Sequence, residues 1–386
     1  MIYLDNNAST RLDPAVWSAM GAAAEVFGNP SSLHAEGQRA RRAVEEAREE
    51  VAALVGASPG EVFWTSGGTE SNAMALFGAA GGRPGRIVIT GVEHPSVREP
   101  AARLAAAPGS ELVSVPPEPS GALDAARVLD AVVPGTRIVS VMTANNEYGG
   151  VFPVAEIAEG ARRRGALFHT DAVQAAGRLE VDAGAWGVDL LSISAHKLHG
   201  PKGAGALFVR RGVGLEAHTP GGGQEKRLRG GTENTLAIVG FGAAARLAAA
   251  RRRVDALDVA RRRDALEGGI LDRVPEARVV GAGVSRLPNT LSMLFPGASG
   301  EALLIRLDLE GVAVSVGSAC SSGTLAPSPA LFALGLSQGE ARSVVRFSLS
   351  RDTTDAEIAR VLEILPGIVA AVRAADAAAA PLRGRP

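Results

Sequence analysis

Between about Glu61 and Arg210, short β-rich runs alternate with helical patterns. The runs are Arg86–Thr90, Glu111–Val115, Arg137–Met142, Ala166–Thr170, Asp189–Ile193 and Ala204–Val209, set apart by Gly and Pro breaks. That alternation predicts a mainly parallel α/β sheet. Upstream, Ala35–Val55 places Ala43, Val44, Ala47, Val51 and Leu54 at helical spacing while Arg and Glu fill the other face. It predicts an amphipathic helix that covers a sheet or a subunit neighbour. A long Ala/Arg/Leu helical pattern runs from Ile238 to Ile270, and new strand candidates follow at Val279, Asn289–Leu294, Val312–Ser315 and Val344–Ser348. The change of domain is placed there. The expected fold class is therefore α/β, with a large mainly parallel sheet domain and a smaller α+β domain. The Ala-rich tail Ala374–Pro386 is expected to fray, and no fixed-period repeat is present.

Composition narrows the class. A chain of 386 residues, 46% hydrophobic, can bury one large core and a smaller second one without a disulfide or a metal. A net charge of -1 gives no basic field for nucleic acid, and the clusters Arg251–Arg253 and Arg261–Arg263 predict a solvated helix face. Met1–Thr10 lacks the basic start and apolar run of an export signal, so a cytoplasmic location is expected. The apolar stretch from Leu236 is broken by glycines and Arg246, well short of the roughly 20 residues that span a bilayer. Cys320 is the single cysteine, which excludes an intrachain disulfide and a multi-cysteine metal site supplied by this chain alone.

The candidate chemistry begins with Ser192–Gly203, SISAHKLHGPKG, which puts Lys197 directly after a strand candidate and before glycines. An amine there can condense with an aldehyde cofactor and, once freed, act as a base if burial or nearby cations lower its pKa. Taken alone, a lysine is usually a surface group, but three other segments change the weighing. In HTDAVQ, Asp171 would sit at the carboxyl end of a strand, where α/β sheets place ligands, and could keep a pyridine nitrogen protonated. Gln174 could donate to a ring phenolate oxygen, although an acid after a strand is by itself more often a helix cap. In Thr65–Ala73, TSGGTESNA, backbone amides and the Thr69 hydroxyl could hold a phosphate at a helix N-terminus. The segment has neither Walker nor GxGxxG spacing, and a capping box ending at Glu70 or Asn72 would explain it equally well. His94, in GVEHPSV after Arg86–Thr90, could stack on a flat cofactor and shuttle protons, or could simply cap a helix.

Several segments in order carry a family likeness: NAST (Asn7–Thr10), GNPSSLH (Gly28–His34), TSGGTESNA, EHPSV, NNEYG (Asn145–Gly149), HTDAVQAAGR, SISAHKLHGPKG, GGG and RGGTENT within 221–235, and GSACSSG (Gly317–Gly323). Together, from about Leu4 to Thr354, they resemble class V aminotransferase-like enzymes that use pyridoxal 5'-phosphate, and more closely cysteine desulfurases of the NifS/IscS type. The resemblance implies a fold type I homodimer. A large cofactor domain would span 13–250, and a small domain would combine 1–12 with 251–386 and carry a cysteine loop at about 317–330. It implies that Lys197 carries the cofactor, Asp171 pairs with the ring nitrogen, Gln174 meets the ring oxygen and His94 stacks on the ring and aids proton transfer. Gly68, Thr69, Ser194 and His196 would hold the phosphate, with Thr232 reaching the phosphate of the partner subunit's site. Asn146, beside the cofactor, and Arg346 in VVRFSLS would receive the substrate carboxylate, a task suited to a planar guanidinium.

Cys320 separates this family from its relatives, because taking sulfur from cysteine needs a soft nucleophile. A free cysteine is most often a small buried hydrophobe. Here the neighbours are small and polar, and Thr324–Pro329 holds two prolines, which reads as a loop. The form GSACSSG resembles the branch with a longer, mobile cysteine loop that hands sulfur directly to proteins. Tyr148 departs from the smaller residue expected after NNE, which bears on the fit near the substrate.

The implied reaction turns L-cysteine into L-alanine. Lys197 removes the Cα proton and the Cys320 thiolate takes the sulfur as a persulfide, for an iron–sulfur scaffold or a sulfur-carrier protein in cluster assembly or tRNA thiolation. No resident metal is expected, although Cys320 could ligate a transient iron–sulfur cluster, and neither nucleic acid nor membrane is an expected partner. The rivals are a selenocysteine lyase or aminotransferase of the same fold and, in another class, a non-catalytic sulfur-transfer partner. Cys320 argues against the plain aminotransferase, and the intact set Lys197, Asp171, His94 and Cys320 argues against the non-catalytic partner.

Overall fold

The computed structural model describes residues 1–316 and 328–383. Its strands, in chain order, are β1 (Ile2–Tyr3), β2 (Val62–Thr65), β3 (Arg86–Thr90), β4 (Glu111–Val115), β5 (Thr136–Ser140), β6 (Leu167–Asp171), β7 (Leu190–Ser194), β8 (Gly205–Val209), β9 (Arg278–Val279), β10 (Thr290–Leu294), β11 (Val312–Ala313), β12 (Ser315–Val316) and β13 (Val344–Ser348). Seven form the main sheet, in the order β2-β8-β7-β6-β5-β3-β4. The α/β expectation holds, with one strand reversed: β8 runs antiparallel to both β7 and β2. The reason is length. Residues 195–204 connect β7 to β8, and that is shorter than the dozen or so residues a parallel crossover takes. At the start of β8, a Cβ on Gly205 would lie 2.5 Å from the Cα of Gly67, so only glycine lets the turn after β2 come this close.

Helices cover both faces of this sheet, so β7 and β8 are buried at every position and read as continuous runs instead of alternating ones. One buried imidazole inside it is satisfied by two serines. The His169 ring bridges Ser140 Oγ (2.8 Å from Nδ1) and Ser192 Oγ (3.0 Å from Nε2), which ties β5, β6 and β7 together. Burial pushes this imidazole down to about 3, so it stays neutral.

The Ala35–Leu54 helix buries Ala40, Val44, Ala47, Val51 and Leu54 and packs on the long Thr235–Arg273 helix. That long helix serves two cores. Ala237, Phe241, Ala244 and Ala248 belong to the main core, whereas Val259, Leu266 and Ile270 join a second one with Leu4, Leu291, Met293 and Phe347. A sheet ordered β12-β13-β10-β9 underlies the second core, and β1 pairs in parallel with β11 beside it. The change of core falls inside a continuous helix. The arginines expected on a solvated face are only partly so: Arg261 and Arg262 pair with Asp355 at 2.9 and 3.3 Å, and Arg263 donates to the Leu287 carbonyl at 2.8 Å. They strap the long helix to the C-terminal Asp355–Arg383 helix, which runs on through most of the Ala-rich stretch expected to fray. Among the described residues no helix is long and apolar enough to cross a membrane.

Tyr148 is a packing pillar. It is fully buried, donates to the Gly121 carbonyl at 3.0 Å, and lies so close to Gly150 that a Cβ there would meet its ring at 2.4 Å. It does not line the large cavity at the strand ends.

One loop is strained. Glu225, Lys226 and Arg227 have φ of 45°, 54° and 70°, a left-handed run that costs about 1–2 kcal/mol per residue outside glycine. Glu225 holds it in place: its buried carboxylate takes Arg48 bidentately at 2.8 and 2.9 Å and accepts the Trp64 N–H at 2.8 Å. Removing one partner of such a pair strands the other charge. Arg48→Met is expected to lower stability by about 3–5 kcal/mol in denaturant titration, with much of the loss recovered in Arg48→Met/Glu225→Gln. A single variant as stable as wild type would show that the loop does not depend on this clamp.

Candidate active site

A cavity of about 270 Å³ opens at the carboxyl ends of the main-sheet strands, the position where α/β sheets bind ligands. The fold brings Gly68, Thr69, His94, Asn146, Asp171, Gln174, Ser194, His196, Lys197 and Arg346 to its wall. Thr232 is not among them; it is exposed, in the loop before the Thr235–Arg273 helix. Cys320, with the whole cysteine segment 317–327, lies outside the described residues.

Strand ends and helix starts place most of these side chains, while Asn146 and Gln174 sit in turns and Arg346 in the middle of β13. Asp171 is the last residue of β6, and Lys197 ends a single 3₁₀ turn that follows β7. The Lys197 Nζ donates to the backbone carbonyls of Asn7 (2.5 Å) and Ala8 (2.7 Å). The Gly68–Ala80 helix starts after Gly67 with no side-chain cap, which leaves first-turn amides for an anion at the positive end of the helix. Glu70 is turned away, onto the Ser66 N–H (2.6 Å) and Arg229 (2.9 Å).

His94 both caps a helix and lines the cavity. Its Nδ1 accepts the Ser96 N–H at 3.1 Å, so the ring proton resides on Nε2. Burial lowers its pKa, against the opposing pull of Asp171 and with help from Lys197 and Arg98, so the ring is neutral near pH 7. A chain of hydrogen bonds then runs to Asp171: Ser96 Oγ lies 2.8 Å from His94 Nδ1, Asn72 Nδ2 donates to Ser96 Oγ at 2.8 Å, and the same Nδ2 donates to Asp171 Oδ2 at 2.7 Å. Val173 N–H donates to Asp171 Oδ1 at 3.0 Å. Asn72 and Ser96 were not assigned roles from sequence, although both sit inside the motifs quoted. Their signal was a buried polar residue within a helix start.

Asn7 is a second residue that the sequence reading left without a task. Its carbonyl accepts both Lys197 Nζ and Gln174 Nε2 (3.0 Å), and its amide donates to the Asn146 carbonyl (3.0 Å) and to Thr290 Oγ1 (2.9 Å). Arg346, in β13, donates to that same Asn146 carbonyl at 2.9 Å and pairs with Asp5 at 2.8 Å. His196 is pushed down to about 4 by burial and by the charges of Lys197, Lys202 and Arg178.

Three buried polar atoms on cavity residues have no hydrogen-bond partner among the described residues: Ser194 Oγ, Asn72 Oδ1 and Arg346 Nε. Unpaired buried polar groups cost free energy, so the wall is suited to a polar ligand that would meet them. On the two sides of the undescribed segment, Ser315 of β12 pairs in register with Arg346, and Ser328 Oγ donates to Glu147 at 2.6 Å.

The model of the Aminotransferase class-V family matches residues 2–361. A cysteine desulfurase from Sinorhizobium fredii is 46% identical over 376 residues, which cover 96% of this chain and 97% of the relative. One from Cereibacter sphaeroides is 47% identical over 377 residues, 97% of each chain. Among solved structures, a NifS-like protein superposes with a TM-score of 0.89 at 34% identity over 96% of this chain and 99% of that one. SspA in complex with cysteine gives 0.81 at 33% identity over 92% of this chain and 100% of that one.

Behind His94, Glu93 is fully enclosed, accepting from Thr90 Oγ1 at 2.6 Å and Met142 N–H at 2.9 Å. Burial, and to a lesser degree Asp171, raises it from 4.5 to about 8. The native state therefore keeps a proton that the unfolded chain loses above 4.5, and the stability associated with it falls as pH rises toward 8. Glu93→Gln, which mimics the neutral acid, is expected to gain on wild type over that range by up to about 1.4 kcal/mol per pH unit. Denaturation midpoints of both proteins at pH 5, 6.5 and 8 measure the gap, and a gap independent of pH would show that Glu93 is ionised in the native state.

Proposed function

The chain belongs to the class V aminotransferase family and is a cysteine desulfurase, and we propose that Lys197 holds its pyridoxal 5'-phosphate and that Cys320 takes the sulfur of L-cysteine. One observation carries this reading. Lys197, Asp171 and His94 share a single strand-end cavity on whose wall Ser194 Oγ, Asn72 Oδ1 and Arg346 Nε have no partner among the described residues.

The donor set fits the cofactor. The uncapped start of the Gly68–Ala80 helix, with Thr69, Ser194 and His196, would hold a phosphate; Asp171 would face the ring nitrogen, Gln174 the ring oxygen and His94 the ring face. When bound, the cofactor supplies an electrophilic aldehyde carbon and a protonated ring that draws electrons from the substrate Cα. The chain's own residues do the rest. Arg346, beside Asn146, receives the substrate carboxylate, and its charge is already steadied by Asp5. Lys197 moves the proton at the substrate Cα. Neutral His94, with Nδ1 engaged by Ser96 and its proton on Nε2, can donate that proton to a ligand in the cavity. The Cys320 thiolate forms the new S–S bond as the substrate C–S bond breaks; the electron pair stays with carbon, which takes a proton and leaves as L-alanine. The sulfur remains as a Cys320 persulfide. Cys320 comes four positions after Val316, at most about 14 Å of extended chain, and Val316 ends the strand that pairs beside Arg346.

We further read the protein as a cytoplasmic homodimer in which Thr232 serves the cavity of the partner subunit. In support, Thr232 is exposed and does not line its own cavity, and Trp17, Phe27 and Leu33 are 64%, 79% and 90% exposed, large apolar side chains that a second copy would cover. Residues 13–250 act as the large unit and 1–12 with 251–386 as the small one, in keeping with Leu4 in the second core, although Val280, Leu287 and Leu294 pack into the main core. An iron–sulfur scaffold or a sulfur-carrier protein, in cluster assembly or tRNA thiolation, would take the persulfide sulfur, with a transient cluster on Cys320 as a further role.

With L-cysteine and a reductant, wild type is expected to release sulfide and alanine in equal amounts, whereas Cys320→Ala keeps the cofactor absorbance band and loses both products. A variant as active as wild type would make Cys320 a bystander and favour a lyase or aminotransferase. A monomeric mass in solution together with full activity would remove the role given to Thr232.

A further inference from the structure

We infer that Arg178 is a positioning residue that sets the orientation of Gln174, and through it the hydrogen bond offered to the ring oxygen of the cofactor; the inference rests on reading the cavity as a pyridoxal phosphate site. An amide side chain has two similar ends, and only one can donate. Guanidinium has donors and no acceptor, so whichever end of Gln174 meets Arg178 must be the oxygen. That is the arrangement found: Arg178 Nη1 donates to Gln174 Oε1 at 2.8 Å and to the Gln174 backbone carbonyl at 2.8 Å. The amide nitrogen is thereby turned toward the Asn7 carbonyl, 3.0 Å away, with its second N–H left for the cavity that Gln174 lines.

Arg178 is unusual for a buried-side cation. Among the described residues its hydrogen bonds go to uncharged oxygens, the third being the Asn6 carbonyl at 3.4 Å. Surface or structural arginines in this chain are paired differently: Arg48 with Glu225, Arg346 with Asp5, Arg286 with Glu267. Burial and the neighbouring Arg346 charge pull Arg178 down to about 10, so it is still charged at neutral pH. Its flank borders a separate cavity of about 60 Å³ behind Lys197. Among the described residues no acid pairs with it, and a cation so placed costs stability; its location four residues past Gln174, in the turns after β6, gives that cost a use.

The test reads the bound cofactor's visible spectrum against pH, together with its dissociation constant from the resolved apoprotein. An aligned donor and a positive charge near the ring oxygen favour the less protonated form of the bound group. Arg178→Met is therefore expected to raise the midpoint of the pH-dependent absorbance change by about half a unit or more, and to weaken cofactor binding by about tenfold. Arg178→Lys, with the charge but only one compact donor group, should shift in the same direction by less. On a Gln174→Ala background most of the Arg178→Met shift should vanish, and if Arg178→Met does not fold, the same comparison with Arg178→Lys serves. Asp171, His94, Lys197 and Arg346 are untouched in every variant, so a shift would not come from replacing them. A lower melting temperature with an unchanged midpoint and affinity, or a shift just as large without Gln174, overturns the inference. A wild type that binds no pyridoxal phosphate would instead overturn the functional reading, and this inference with it.

Discussion

The backbone carbonyl of Asn7 is the contact on which the site depends. It accepts the Lys197 ammonium and the Gln174 amide together, while the Asn7 side chain reaches Asn146 and Thr290 and accepts from Asn289 at 2.9 Å. One residue near the start of the chain therefore joins the 3₁₀ turn after β7, the turns after β6, the NNEYG segment and the second core. Its own N–H is held by Ser348 Oγ at 2.9 Å, at the end of β13. Every polar atom of this residue is satisfied by a different part of the fold, and burial makes each of those bonds expensive to break. Arg346, on a strand of the second core, and Lys197, after a strand of the main sheet, face one cavity, and Asn7 with its neighbours bridges the two.

The electrostatics follow from where water is excluded. The imidazoles His94, His169 and His196 all shift downward, and burial is the largest cause for each. The same burial does different work at different depths. His169 is locked between two serines inside the sheet and only holds strands together, whereas His94 and His196 stand at the cavity wall, where a neutral ring can still exchange a proton with a ligand. Acids move the opposite way: Glu93 rises to about 8 behind the site, and burial raises Glu147 to about 7 where it meets Ser328.

Strain and clamp go together elsewhere in the chain. The left-handed run at 225–227 leads into the loop bearing Thr232, and a bidentate Arg48–Glu225 pair, not a glycine, keeps it there. Residues held in such conformations persist where the surroundings over-determine them, and they gather near functional segments.

Much of this was legible in the chain itself. The β3 and β4 runs and the Ala35–Leu54 helix lie where the hydrophobic pattern puts them to within a residue, because period and Gly/Pro punctuation are local properties. The residue types and order of the motifs were likewise enough to group Gly68, Thr69, Lys197, Asp171, Gln174, His94, Ser194, His196, Asn146 and Arg346, which the fold brings to one cavity wall. What no local pattern carries is which carbonyl an amine leans on, or which way an amide points. The reversal of β8, the change of core inside one helix, the Tyr148 pillar, the Asn72 and Ser96 relay, the Asn7 hub and the hold of Arg178 on Gln174 all rest on atoms brought together from distant parts of the chain or across neighbouring turns. Such contacts are chosen by the closure of the fold, when each buried donor must find an acceptor, and so only the tertiary structure decided them.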